Sequence, residues 1–407
     1  MSTSAIDPFF ELVGARDPAP LIHRMRRDDP VHFVPGIGFW FVTRHDDVKR
    51  LFNDPDHATG DRKAWERYEP RPEGSMLRWF NDGISARRSP AEHARFRQRF
   101  NRALTPRAVR RMDAQIREVV ERFAAPLRGR SGDVIDLAEE FTNPIPNTVI
   151  SRMTGVPPGD DEARFRELAQ GFIRGFFPFA QPEALAYSEV CLKELADQVR
   201  RIAAARRDAL GEDLVSDLLR TQAQDESLGD DEIVMLISLL IGAGSETTNL
   251  GGRIVIETIL EHPDALERVR RERSLVPQAV NEIMRFGFSG AAGIPRFALR
   301  DFELRGRSIR KGQMLMLSFG GANRDPAVFD EPDRLDIDRD TREMLVFGNG
   351  PHYCLGANLA RQEMGAMLDA ALDIVTPGSR VREDLLTFQT LGMSQRPKNL
   401  PVEIGHS

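Results

Sequence analysis

The sequence predicts a mainly α-helical protein with a small β region. Three observations carry this reading. Stretches with helical spacing of apolar residues alternate with prolines at Pro90, Pro106, Pro126, Pro144, Pro157 and Pro178. One of these stretches, 230–262, is far longer than an ordinary helix. Strand-like residues cluster in only two places, 31–44 and 296–317.

Taken in order, residues 31–44 (VHFVPGIGFWFVTR) are rich in Val, Phe and Trp around Gly36 and Gly38 and predict a short hairpin. Helices are expected over 91–103, 107–127, 133–155, 160–173 and 183–209. In 230–262 the acidic Asp230, Asp231 and Glu232 favour an N-terminus through the helix dipole. An apolar face runs through Ile233, Leu236, Leu240 and Ile241, resumes at Ile254, Ile256 and Ile259, and stops at Pro263. At 1.5 Å per residue this helix spans roughly 48 Å, long enough to cross the centre of the protein. The second strand cluster, 296–317, contains a turn at Arg310-Lys311-Gly312. A last amphipathic helix is expected from Ala357 to about Val375.

The chain has 407 residues, and cores usually split beyond about 250, so length alone predicts two or more domains. Its 41% hydrophobic content suffices for a large core. A net charge of -6 gives no reason to expect nucleic acid. Two cysteines, Cys191 and Cys354, exclude a disulfide scaffold and fit a reducing compartment. Residues 1–20 lack a basic stretch followed by an apolar run, and the longest apolar run, 233–241, falls well short of the about 20 residues that span a bilayer. A cytoplasmic protein with no membrane partner is expected.

The chemistry concentrates around one cysteine. Residues 347–356 read Phe347-Gly348-Asn349-Gly350-Pro351-His352-Tyr353-Cys354-Leu355-Gly356, just before the last helix. A helix N-terminus favours thiolate over thiol, and a thiolate can ligate iron. Gly348 and Gly350 allow a sharp turn close to a flat cofactor. Zinc is disfavoured, because no second Cys or paired His supplies tetrahedral spacing. In the long helix stands Ala243-Gly244-Ser245-Glu246-Thr247-Thr248, where threonine can back-bond and bend the helix, and where an acid needs a polar partner or water.

These two stretches resemble the signatures of the cytochrome P-450 family. The cysteine loop matches every fixed position of the family's pocket motif, at Phe347, Gly348, Gly350, Cys354 and Gly356. The long helix matches its Ala/Gly-Gly-any-acid-Thr motif. The resemblance covers nearly the whole chain. It implies a single P-450 domain over 1–407, with a long central helix over the haem and a cysteine-ligand loop beneath it.

The resemblance also assigns roles. Cys354 is the axial iron ligand of haem b, and Phe347, Gly348 and Ala243 lie against the cofactor. His93, Arg97, Arg296 and His352 match propionate partners, and His93 and Arg97 fall four apart on one helix face. Thr247 is the hydroxyl at the oxygen site and Glu246 relays protons to it. Glu282, Arg285 and Arg334 match a structural ion-pair network. Phe172, Phe176, Phe177 and Phe179, together with Trp65, Tyr68, Trp79, Phe80, Gly290 to Gly293 and Leu391 to Met393, are candidates for an apolar substrate pocket.

The implied activity is insertion of one oxygen atom from O2 into a hydrophobic small molecule, terpenoid or steroid-like in class, with ferredoxin and ferredoxin reductase as electron donors. A peroxide-driven peroxygenase and a non-catalytic haem sensor are the rival readings. The arginines Arg95, Arg97, Arg99, Arg102, Arg107, Arg110 and Arg111, with no acid among them, mark a candidate ferredoxin surface.

Overall fold

The computed structural model describes residues 6–15, 17–83, 90–156, 162–176, 179–225, 228–288, 293–391 and 394–406. The fold is mainly helical with small sheets, as expected. The chain forms two compact units. The first comprises Met1–Glu69, Pro277–Cys354 and Gln389–Arg396, and the second comprises Pro70–Val276, Leu355–Phe388 and Pro397–Ser407.

The first unit is built on a five-stranded sheet. The expected hairpin pairs Val31–Val34 with Phe39–Val42, Val31 opposite Val42. Met314–Ser318 adds parallel to Phe39–Val42, Gly293–Ala298 adds antiparallel to it, and Ala58–Thr59 closes the edge. Every residue of Met314–Ser318 is buried, as the centre strand of a covered sheet requires. Val42, Leu51, Phe52, Ala298, Leu315, Leu317 and Leu345 share one apolar cluster. The turn at Arg310-Lys311-Gly312 forms, with Gln313 N–H donating to Arg310 O at 3.1 Å and Gly312 at positive φ.

The second unit is organised around the helix Asp230–Glu261. It packs against the helices Pro144–Thr154, Glu162–Arg174, Pro182–Asp208 and Ala357–Ile374. Its length and mean hydropathy match those of a membrane span, but 67% of its most apolar window is buried, so the core uses that apolarity. The helix following it begins on Pro263, which cannot extend the hydrogen-bond ladder.

Two expected helices differ. The stretch 107–127 breaks at Met112, whose N–H donates to Val109 O at 2.9 Å, giving Pro106–Arg111 and Asp113–Ala124. The stretch 133–155 begins as a strand: Val134–Asp136 pairs antiparallel with Pro401–Glu403. A π-helical turn, Ala138–Thr142, follows and leads to the helix Pro144–Thr154. The strand owes its form to a partner at the far end of the chain, which local spacing cannot register.

Candidate active site

In the first unit the cysteine loop folds on itself. Cys354 N–H donates to Phe347 O at 2.8 Å and Tyr353 N–H to Gly350 O at 3.0 Å. Gly348 and Gly350 both take positive φ, and a Cβ at Gly350 would collide with Asn53 Oδ1. Only glycine fits there without strain. Asn53 Nδ2 also donates to Asn349 Oδ1 at 2.7 Å, tying the loop to the helix His45–Asn53. The loop delivers Cys354 two residues ahead of Gly356, the N-cap of the helix Ala357–Ile374. The Cys354 thiol is exposed while Cys191 is buried, so one cysteine is available to a ligand and the other is core.

Arg296 lies on the strand Gly293–Ala298 opposite Leu315, with 6% of its surface exposed. Its guanidinium stacks 5.0 Å above the Phe52 ring, and its Nη1 donates to Pro295 O at 3.1 Å. Burial alone pushes its pKa down to about 10. No carboxylate among the described residues pairs with it. A buried guanidinium with no counter-charge costs several kcal/mol, so this position fits an anionic ligand group. His352 closes the short turn Gly350–His352 and is exposed.

The ion-pair network forms, with one correction. Glu282 and Arg285 are both fully buried, joined through Nε–Oε2 and Nη2–Oε1, each 2.7 Å. The remaining Arg285 donors reach Asn323 O at 2.9 Å, Pro332 O at 2.8 Å and Arg334 O at 3.4 Å. All five guanidinium N–H groups are used. The further arginine on Glu282 is Arg339, at 3.1 Å, and not Arg334. The Arg334 side chain points outward to Glu331 and Asp336, and only its carbonyl joins the network. The loop places Arg339 Nε and Asp336 N–H together on Glu282 Oε1. The spacing from Phe329 to Arg339 was the available signal.

In the second unit the motif Ala243 to Thr248 lies mid-way along the long helix, which stays α-helical through it. Thr247 Oγ1 donates to Ala243 O and Ser245 Oγ to Ile241 O, each at 2.6 Å, the back-bonding expected of a helical hydroxyl. Ala243 and Thr247 are exposed and Glu246 is half-buried, on a helix otherwise largely buried. A stripe one turn long therefore opens where the motif stands.

His93 and Arg97 share a face of the helix Pro90–Leu104, both half-buried. Burial, and then Arg97, hold the His93 imidazole below its ordinary pKa. Arg97 pairs with no carboxylate among the described residues, which leaves this face cationic. Arg99 instead turns inward to Glu232 and Asp225. Arg95, Arg107, Arg110 and Arg111 are exposed, with no acidic partner among the described residues, while the Arg102 side chain lies outside them.

Of the pocket candidates, Phe80 and Phe172 are fully buried. With Phe176 they form an edge-to-face trio at centroid distances of 4.9, 5.2 and 5.1 Å. Trp79 lies under the Arg200 guanidinium at 5.4 Å. In the first unit Trp65 packs 5.9 Å from Phe297. Phe177, 290–292 and 392–393 fall outside the described residues. Sequence reasoning missed Glu363 on the helix Ala357–Ile374, a buried carboxyl whose Oε2 has no partner among the described residues.

A family profile described as Cytochrome P450 matches residues 32–374. The epothilone C/D epoxidase of Sorangium cellulosum is 34% identical over 359 residues, 86% of this chain and 84% of that one. The nocardicin C N-oxygenase of Nocardia uniformis subsp. tsuyamanensis is 34% identical over 410 residues, covering 97% of each chain. Among solved structures, epothilone D-bound cytochrome P450epoK superposes with a TM-score of 0.86 at 29% identity, covering 98% of this chain and 99% of that one.

Proposed function

Because the chain belongs to the cytochrome P450 family and is a haem monooxygenase, we propose that it inserts one atom of O2 into a hydrophobic small molecule, with haem b held by Cys354 and electrons supplied by a ferredoxin and its reductase. The observation that carries this reading is the glycine-turned loop that presents the exposed Cys354 ahead of a helix N-terminus.

In this reading Cys354 ligates the iron as thiolate, favoured by the helix dipole. Phe347, Gly348 and Ala243 lie against the ring. Arg296, His352, His93 and Arg97 take the propionates, which supplies the counter-charge that Arg296 and Arg97 lack. When bound, the haem supplies the oxygen-activating redox chemistry. Thr247 Oγ1 is held by Ala243 O and is freed by rotation of its χ1, so it can accept or give a proton at the open stripe. Glu246, beside it, moves protons between water and Thr247 Oγ1. This acid–alcohol pair favours the monooxygenase over a peroxide-driven peroxygenase or a non-catalytic sensor.

Each compact unit is assembled from separate stretches of chain, which supports reading 1–407 as one domain. Two cysteines with no disulfide between them fit a reducing, cytoplasmic setting. Related enzymes are named for epothilone C/D, nocardicin C and mycinamicin IV. A terpenoid or steroid-like substrate is our narrower choice within the hydrophobic class.

The test is a panel of steroids, terpenoids and macrolactones titrated into the holoenzyme. A ligand of the predicted class shifts the Soret band from low to high spin, and the absence of any shift across the panel overturns the choice. Cys354→His abolishes the red-shifted carbon monoxide band, and survival of that band refutes the ligand assignment. Thr247→Ala keeps substrate affinity but diverts electrons to hydrogen peroxide; an unchanged product yield per electron refutes its role. Arg110→Glu slows reduction by ferredoxin at low salt in stopped flow without changing substrate binding, and a salt-independent rate refutes the docking surface.

A further inference from the structure

On the long helix Asp230–Glu261, the alternate residues Ser245, Thr247 and Asn249 all bond back to the carbonyl four residues earlier. Ser245 Oγ donates to Ile241 O and Thr247 Oγ1 to Ala243 O. Asn249 lies against two carbonyls, Ser245 O at 3.1 Å and Asn143 O at 3.2 Å. Both are acceptors, so the amide presents Nδ2 to both. Asn143 stands outside this helix, where the π-helical turn Ala138–Thr142 hands over to the helix Pro144–Thr154. Its carbonyl also takes Asn147 Nδ2 at 2.9 Å, so two amides converge on it.

Asparagine is a poor helix former, because its amide competes for backbone groups. Asn249 nonetheless stands mid-helix with 5% of its surface exposed, and its bond to Asn143 O is what the tertiary structure adds there. Successive residues turn about 100° round a helix. Asn249 and Ser245 therefore share one face, and Thr247 lies about 200° from Asn249, on the other. Burial follows this division: Ile241, Ser245 and Asn249 are buried, whereas Ala243 and Thr247 are exposed. A Cβ at Gly252 would stand 3.6 Å from Thr142 Cβ, so the face that carries Asn249 runs close along the π-helical turn. Back-bonded side chains let a helix bend. The turn with Glu246 and Thr247 holds one orientation only if it is tied from outside.

We infer that Asn249 is a positioning residue for the monooxygenase reaction: its bond to Asn143 O fixes the rotation of the long helix at the motif and keeps Thr247 and Glu246 turned to the open stripe. Asn249 acts from the closed face of the helix, through the backbone. The inference rests on the role of Thr247 proposed above.

Two variants test it. Asn249→Leu keeps the branching of the side chain and removes both bonds. Asn249→Ser retains a hydroxyl that can back-bond to Ser245 O, but it is one bond shorter and does not reach Asn143 O. The holoenzyme is supplied with ferredoxin, its reductase and the steroid, terpenoid or macrolactone that gives the largest Soret shift. Product per electron is expected to fall about two- to tenfold in both variants, the lost electrons appearing as hydrogen peroxide. Affinity for that compound is expected to stay within about twofold. A residue that only stabilises the fold lowers haem content and Tm but leaves the yield per electron of the folded enzyme unchanged. Hydrogen exchange gives a readout apart from turnover: the amides of 244–249 are expected to exchange about two- to tenfold faster in Asn249→Ser. Thr247→Ala combined with Asn249→Ser is expected to lose no more yield than Thr247→Ala alone, because one residue acts through the other. Unchanged yield or unchanged exchange in Asn249→Ser overturns the inference, as does a double variant whose losses multiply. A normal yield in Thr247→Ala sinks the role of Thr247 and this inference with it. An uncoupled Thr247→Ala beside a normal Asn249→Ser sinks this inference alone. Asn249→Ser decides the matter even if Asn249→Leu does not fold.

Discussion

Glu282 and Glu363 are both helical carboxyls shut away from water, 0% and 2% exposed, yet they are opposite electrostatic objects. Glu282, in the first unit, spends both oxygens on Arg285, Arg339 and the Asp336 N–H. Glu363, in the second unit, has an Oε2 with no donor among the described residues, and burial alone drives its pKa well above the ordinary 4.5. Equal burial therefore says nothing about charge: the neighbours decide whether a buried acid is an anion in a network or a neutral carboxyl.

The largest test breaks the network. Glu282→Gln strands two buried guanidinium groups and is expected to cost about 3–5 kcal/mol in chemical denaturation of the holoprotein. A loss under about 1 kcal/mol makes Glu282 a spectator. Arg339→Ala comes next, at about 3 kcal/mol, because it removes one charge and leaves several carbonyls without donors.

Glu363 sharpens the contrast through its sign. Its folded pKa is raised above the unfolded one, so its favourable contribution is complete below about pH 4.5 and is lost as pH rises towards the folded pKa. Glu363→Gln cannot ionise. The stability of the wild type relative to this variant is expected to fall with increasing pH, by about 1.4 kcal/mol per pH unit between the two pKa values. Parallel stability curves across that range mean that Glu363 is ionised in the fold. The smallest effect is reserved for Arg334→Ala, whose outward side chain makes exposed pairs worth under about 1 kcal/mol. A loss as large as that of Arg339→Ala reverses the correction made above.

Much of this molecule could be read from its sequence. The long helix, the hairpin at 31–44, the strand cluster after 296 and the cysteine loop follow local rules: periodicity, caps, proline stops and glycines where φ turns positive. The motif residues were equally legible, because their spacing is the signal. What sequence could not decide were choices between residues of the same kind. Arg339 rather than Arg334 completes the network because a loop folds back on Glu282. Arg99 pairs with Glu232 and Asp225 while Arg97 does not, although both stand on one helix. Val134–Asp136 is a strand because the end of the chain arrives beside it. Phe80 and Phe172 are core because each meets the other. Local pattern determines what a segment can form; which partner it meets depends on distant segments arriving at the same place, and that was decided only in the tertiary structure.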